Sequence, residues 1–177
     1  MLFIPFVNSY AQEYKFETRI GWFPVDVYSL LSLIGEDALG ETTYGPMKNI
    51  GIFAADFDYK VKRWFAVGAK VNYRNSWRDM KTISNGLEVK DINRMQYFSV
   101  MPTVKFTTNY DSVFRWYATL GVGAGIDLSH PGESDRGFLA LQFVPVGISV
   151  GKMISWYLEF GIGSAYTGFM TGISCRF

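Results

Sequence analysis

Apolar residues recur at every second position through most of this chain, a pattern that antiparallel sheet accepts and helix does not. The segment from Arg115 to Leu128 shows it best. Trp116, Ala118, Leu120, Val122, Ala124, Ile126 and Leu128 share one face, and Arg115, Tyr117, Thr119, Gly121, Gly123, Gly125 and Asp127 share the other. Comparable alternation predicts strands over 15–23, 48–59, 64–74, 94–108, 154–163 and 168–177. The run 138–150 is also a strand by length. It is too apolar to show its phase, and Pro145 within it is a natural place for a bulge.

The polar faces discriminate between the folds such strands can build. They carry Glu17, Arg19, Asp56, Asp58, Lys70, Lys105, Arg115, Asp127, Glu159 and Arg176, interspersed with glycines. The chain is 49% hydrophobic and 18% aromatic, yet its mean hydropathy is only +0.07, because the aromatics are diluted at period two. Beyond the N-terminal residues no apolar run approaches the roughly 18 needed for a transmembrane helix. The apolar faces are long enough to match a membrane band. Glycines and isolated charges of both signs suit an interior barely wide enough for side chains, which is what eight strands enclose. The pattern therefore predicts an all-β chain: a closed antiparallel up-and-down transmembrane β-barrel of eight strands, apolar outside and charged inside. A soluble barrel with the two faces reversed is the competing arrangement.

The connections alternate in length. Those over 60–63, 109–114 and 151–153 are short, whereas 24–47, 76–93 and 129–137 are long or polar; only the last, around 165–167, departs from the trend. Short turns on one rim and long loops on the other are the transmembrane-barrel pattern. Each short turn leads into an aromatic pair, Trp64-Phe65, Trp116-Tyr117 and Trp156-Tyr157. Rings at that recurring position predict an interfacial girdle, with Trp22, Tyr73 and Trp77 on the opposite rim.

These features, together with an aromatic Phe177 closing an alternating strand of about ten residues, make the chain similar to the small eight-stranded bacterial outer-membrane proteins. The group is the OmpA transmembrane-domain, OmpX and OmpW-like one, and the compact barrels of Bacteroidetes-type bacteria within it. The resemblance covers about 12–177 and rests on architecture, with no diagnostic internal motif. It implies a monomer in the bacterial outer membrane, surrounded by lipopolysaccharide and phospholipid. It also implies that Phe177 is part of the signal read by the barrel-assembly machinery. Leu2-Phe3-Ile4-Pro5-Phe6-Val7 followed by Ser9-Tyr10-Ala11 looks like the hydrophobic and cleavage regions of a signal peptide, so residues 1–11 are set aside as its remnant. A hydrophobic tail or a first strand is the alternative there.

The chemistry-bearing residues are few. His130 is the only histidine, within Ser129-His130-Pro131-Gly132-Glu133-Ser134-Asp135. Some small outer-membrane barrels modify lipid A with Ser, His and an acid. Pro131 and Gly132, however, mark a flexible loop where such chemistry needs rigid side chains. Cys175 is the only cysteine, which excludes an intrachain disulfide and a cysteine-based metal site. With 17 basic and 16 acidic residues dispersed along the chain, no basic stripe points to nucleic acid. Gly121-Val122-Gly123-Ala124-Gly125 is a glycine-lined strand face with no helix after it to hold phosphate. The loop 25–40 contains Val27, Leu30, Leu31 and Ile34 at helical spacing, a candidate for a capping helix or a partner contact.

No catalytic residue, metal or cofactor is expected. The expected role is structural, or surface interaction through loops 24–47 and 76–93. A narrow pore or small-ligand carrier using the glycine-lined lumen is the first alternative, and a lipid A-modifying enzyme around His130 the second. Charges in a lumen must pair, since an unpaired buried ion costs several kcal/mol. Lys70, Lys105, Arg115 and Arg176 are therefore expected to neutralise Asp56, Asp58, Asp127 and Glu159.

Overall fold

A computed structural model describes residues 14–23, 42–44, 48–84, 87–129 and 136–177. Its strands are β1 (Phe16–Phe23), β2 (Thr42–Tyr44), β3 (Lys48–Lys62), β4 (Phe65–Ser84), β5 (Leu87–Thr107), β6 (Phe114–Asp127), β7 (Arg136–Gly151), β8 (Ile154–Gly163) and β9 (Gly168–Arg176). Setting aside the three-residue β2, eight strands follow one another around a ring: β1-β3-β4-β5-β6-β7-β8-β9. Every neighbouring pair is antiparallel, and β9 returns to β1 with Glu17 opposite Arg176 and Ile20 opposite Ile173. The result is a closed up-and-down barrel without the unpaired edge that an open sheet exposes.

Each predicted strand is present. The largest departure lies between β4 and β5, where most of the predicted loop 76–93 is ladder: Arg78 pairs with Asn93, Met80 with Asp91, and Thr82 with Val89. Hydrophobic alternation reports only strands with one apolar face. A hairpin between chain neighbours needs no such face, because its backbone ladder continues locally. Beyond Trp77 on the β3 side and Tyr97 on the β6 side this hairpin leaves the ring, and β2 pairs with its β4 arm through Thr42–Thr82 and Tyr44–Met80.

Pro145 does sit in a bulge. Across β6–β7, Tyr117 faces Gly147 but Thr119 faces Val144, so two residues of β7 oppose Ala118. The same extra residue shifts the β7–β8 register between Phe143 and Val146. Before the bulge Ala140, Gln142 and Val144 point inward; after it Gly147 and Ser149 do. The phase of this strand was illegible because it changes midway.

The distribution of side chains is the reverse of a water-soluble core. Ile20 is 70% exposed, Leu139 67% and Ile154 67%, while Arg19, Arg115 and Arg176 are each 2% exposed or less. Buried arginine and exposed isoleucine are the arrangement expected of a barrel whose exterior is apolar. The charged faces thus lie inside and the apolar faces outside, as the membrane arrangement expects and opposite to the reversed-face alternative. Trp64, Trp116 and Trp156 point outward near the short turns, and Trp22 and Tyr73 point outward near the other rim, with Trp77 half-buried there. The second members of two aromatic pairs leave the girdle: Tyr117 and Tyr157 are buried in the lumen, because strand alternation sends consecutive residues to opposite faces. Phe177 stacks on Phe16 with ring centroids 5.8 Å apart, and Phe16 N donates to its carbonyl at 2.9 Å.

Candidate functional site: a lumen closed by paired charges

The inward phase of β1, β3 and β4 sets Arg19, Asp56 and Lys70 side by side, since Arg19 is in register with Asp56 and Asp56 with Lys70. Signs alternate across these three strands, the favourable cross-strand order. One level nearer the short turns, Glu17 and Asp58 are also in register and would repel. Lys105, reaching in from β5, resolves this by bonding Glu17 Oε2 at 2.7 Å and Asp58 Oδ2 at 3.2 Å.

Two further contacts cross the full diameter. In ring order β4 and β8 are opposite, as are β1 and β6. Lys70 Nζ meets Glu159 Oε1 at 2.9 Å, and Arg115 Nη1 meets Glu17 Oε1 at 3.2 Å. Arg19 joins the two levels, with Nη1 at 3.2 Å from Glu159 and Nη2 at 3.4 Å from Asp58. Four cations (Arg19, Lys70, Lys105, Arg115) thus face four carboxylates (Glu17, Asp56, Asp58, Glu159), and the cluster is neutral.

Neutral donors complete it. Tyr117 and Tyr166 hydroxyls donate to Glu159 at 2.9 and 2.5 Å, so this carboxylate serves four donors from different parts of the ring. Arg115 Nη2 donates to Ser149 and Ser155 at 2.7 and 3.2 Å. Met101 and Met170, in register with Lys70 and Glu159, belong with Ile52, Ala54 and Ala140 to an apolar cluster inside the barrel.

Four glycines mark where aromatic side chains are accommodated, whereas Gly121, Gly123 and Gly163 face Met101, Thr103, Gln142 or neighbouring backbone. A Cβ on Gly147 would lie 2.3 Å from the Tyr117 ring, one on Gly161 2.4 Å from Tyr166, and one on Gly125 2.2 Å from Phe138. A Cβ on Gly21 would meet the Tyr157 hydroxyl at 2.1 Å. These inward glycines are occupied recesses, each holding an aromatic ring from a neighbouring element. We expect Gly21→Ala to cost about 1–3 kcal/mol by overpacking, and Tyr157→Phe, which removes the clashing oxygen, to recover part of that. Urea titrations of the two single variants and the double variant measure it.

The short-turn mouth is closed by residues without a periodic signal. Tyr110, from the turn after β5, is fully buried with Lys60, Lys105 and Arg115 within 6 Å of its ring centroid. Burial, with Glu17 and Asp58 nearby, pushes its phenol up and keeps it neutral. Lys60 also pairs with Asp111 of the same turn at 3.0 Å.

Arg176 was expected to neutralise a carboxylate. Its guanidinium instead donates to the Tyr110 carbonyl at 2.6 Å and the Gly151 carbonyl at 2.5 Å, and lies over the Tyr14 ring. In ring order the β5–β6 turn lies on the far side of the barrel from β9, so this side chain reaches across the mouth to join it to the end of β7. We expect Arg176→Met to lose about 2 kcal/mol, the scale of hydrogen bonds to a charged group, read as a lower urea midpoint with the barrel still folded.

Asp127 also departs from expectation. It lies at the end of β6, where it accepts from the Ser129 backbone N–H at 2.9 Å and from the Ser129 hydroxyl. The alternation continues to this residue, but the strand has by then reached the rim. Ser129 is further tied to the β5 backbone through Gln96 N at 3.1 Å. His130, Ser134, the segment 1–11 and the apolar stretch 25–40 lie outside the described residues. Tyr110, Tyr166 and Ser155 were not singled out from the sequence, because turn residues and small polar residues give no pattern of their own. Compared with models of protein families and with curated proteins, the chain matches none.

Proposed function

We infer that this is an integral outer-membrane β-barrel protein of the small eight-stranded type, with a sealed lumen and a structural or surface-interaction role carried by its long loops. The observation that carries this reading is the double inversion: an outer wall of exposed Ile, Leu, Phe and Trp around a neutral cluster of buried Lys, Arg, Asp and Glu. Such a wall is costly in water and favourable in hydrocarbon, where only closed sheets and helices satisfy the backbone. The diametric Lys70–Glu159 and Arg115–Glu17 bridges, with rings in the glycine recesses, favour a plug over a pore or ligand carrier.

Carbonate fractionation of expressing cells, with boiled and unboiled samples run side by side, tests the location. A carbonate-resistant band whose mobility changes on boiling is expected, and an extractable protein with no change would overturn the reading. In planar bilayers the purified barrel is expected to give no sustained conductance. Steady channels would favour the pore. Identical lipid A in cells with and without the protein is expected, and a change in its acylation would favour the enzyme.

A further inference from the structure

We propose that the outer wall carries a specific site for one anionic phospholipid of the inner leaflet, at the bulge between β6 and β7. This rests on the membrane reading above. A recess of about 390 Å³ opens on the outside of the barrel near the short turns, bounded by Trp64, Phe106, Trp116, Pro145 and Val146. Its origin is local. The bulge sets two residues of β7 against Ala118, so a methyl group faces a space that its neighbours, all larger, leave unfilled.

The recess is apolar along its walls and polar at one end. Phe106 and Trp64 stack at 6.1 Å to form one side, Pro145 and Val146 of β7 form the other, and Trp116 stands beyond Ala118 towards the turn. Thr107 and Thr108 lie at the end nearest the turns. There the end of β3 and the turn after it present Lys62 and Arg63, both exposed, with Lys62 Nζ 5.6 Å from the Trp64 ring centroid. That turn is held against its neighbour by Tyr110 N to Arg63 O at 2.8 Å and Thr107 N to Trp64 O at 2.9 Å.

An apolar slot ending at two tryptophans, a hydroxyl and two cations has the chemistry of a phospholipid seen from the side. The acyl chain lies on Ala118, the glycerol reaches Thr108, and the phosphate faces Lys62 and Arg63. The cations select a lipid with net negative charge over a zwitterionic one. Transmembrane barrels turn their short connections towards the periplasm, so a position on that rim assigns the inner leaflet.

The test is native mass spectrometry of the folded, heat-modifiable protein in detergent, supplied with phosphatidylglycerol and phosphatidylcholine of equal chain length. The wild type is expected to retain one phosphatidylglycerol. Ala118→Phe fills the slot from the lipid side without touching the lumen, and is expected to lower that occupancy about tenfold, the scale of a few methylenes returned to bulk. Lys62→Ser with Arg63→Ser is expected to keep one lipid and lose the preference for the anionic one. Equal retention by Ala118→Phe and wild type would overturn the site, as would a folded wild type that keeps no lipid. Failure of the membrane reading looks different, since the protein would then be carbonate-extractable and show no heat-modifiable form.

Discussion

Replacing Glu159 by alanine is expected to destabilise the folded barrel by about 3–5 kcal/mol, the cost of leaving buried charges without their partner. Among the described residues no other lumen side chain hydrogen-bonds to as many parts of the ring. Its two oxygens serve Arg19, Lys70, Tyr117 and Tyr166, from β1, β4, β6 and the β8–β9 connection. Removing it leaves Lys70 with Asp56 at 3.5 Å and Arg19 with Asp56 and Asp58 at 3.6 and 3.4 Å, and the cluster with one excess positive charge. Urea unfolding of the barrel in lipid vesicles, followed by the heat-modifiable band, measures the loss. Glu159→Ala combined with Lys70→Met restores neutrality and is expected to recover part of it. An unfolding midpoint for Glu159→Ala equal to that of the wild type would show that water, and not the cluster, fills this part of the lumen.

The second large effect is steric. Gly147→Val is expected to cost about 3 kcal/mol, the upper end of what overpacking an interior costs. Gly147 stands directly opposite Tyr117 across the β6–β7 ladder, and the first carbon of any side chain there would sit 2.3 Å from ring atoms. The ring has nowhere to move, because its hydroxyl is held by Glu159 at 2.9 Å and its face lies 5.1 Å from the Arg19 guanidinium carbon. Combining Gly147→Val with Tyr117→Ala is expected to cost less than the sum of the single variants, since each relieves the other. Strict additivity in that cycle would mean that glycine and tyrosine do not share the space.

Much of this arrangement was legible in the chain because alternation is a local property. Trp116 and Tyr117 are consecutive, so strand geometry alone sends one to the lipid side and the other to the lumen. The same rule assigned Glu17, Arg19, Asp56, Asp58, Lys70, Lys105, Arg115, Glu159 and Arg176 to the interior before any partner was known. Where the rule needs an unbroken strand it fails. Pro145 reverses the phase of β7 midway, and Asp127 keeps the right phase but reaches the rim. Beyond Trp77 the β4–β5 hairpin no longer alternates in sequence, so its length went unread although its ladder is regular.

The amino-acid sequence by itself determined the strands, their two faces and the requirement that the charges pair, because each depends on the period-two geometry of neighbouring residues and on the cost of an unpaired buried ion. Closure of the ring decided who pairs with whom. Lys70 and Glu159 are 89 residues apart and Arg115 and Glu17 are 98 apart, and only the circular order of strands sets them across a diameter. It likewise decided that glycines receive rings, and that Tyr110 and Tyr166 fold inward from turns. A narrow barrel brings every inward side chain within reach of several others, and volume and charge balance across that shared space select the contacts.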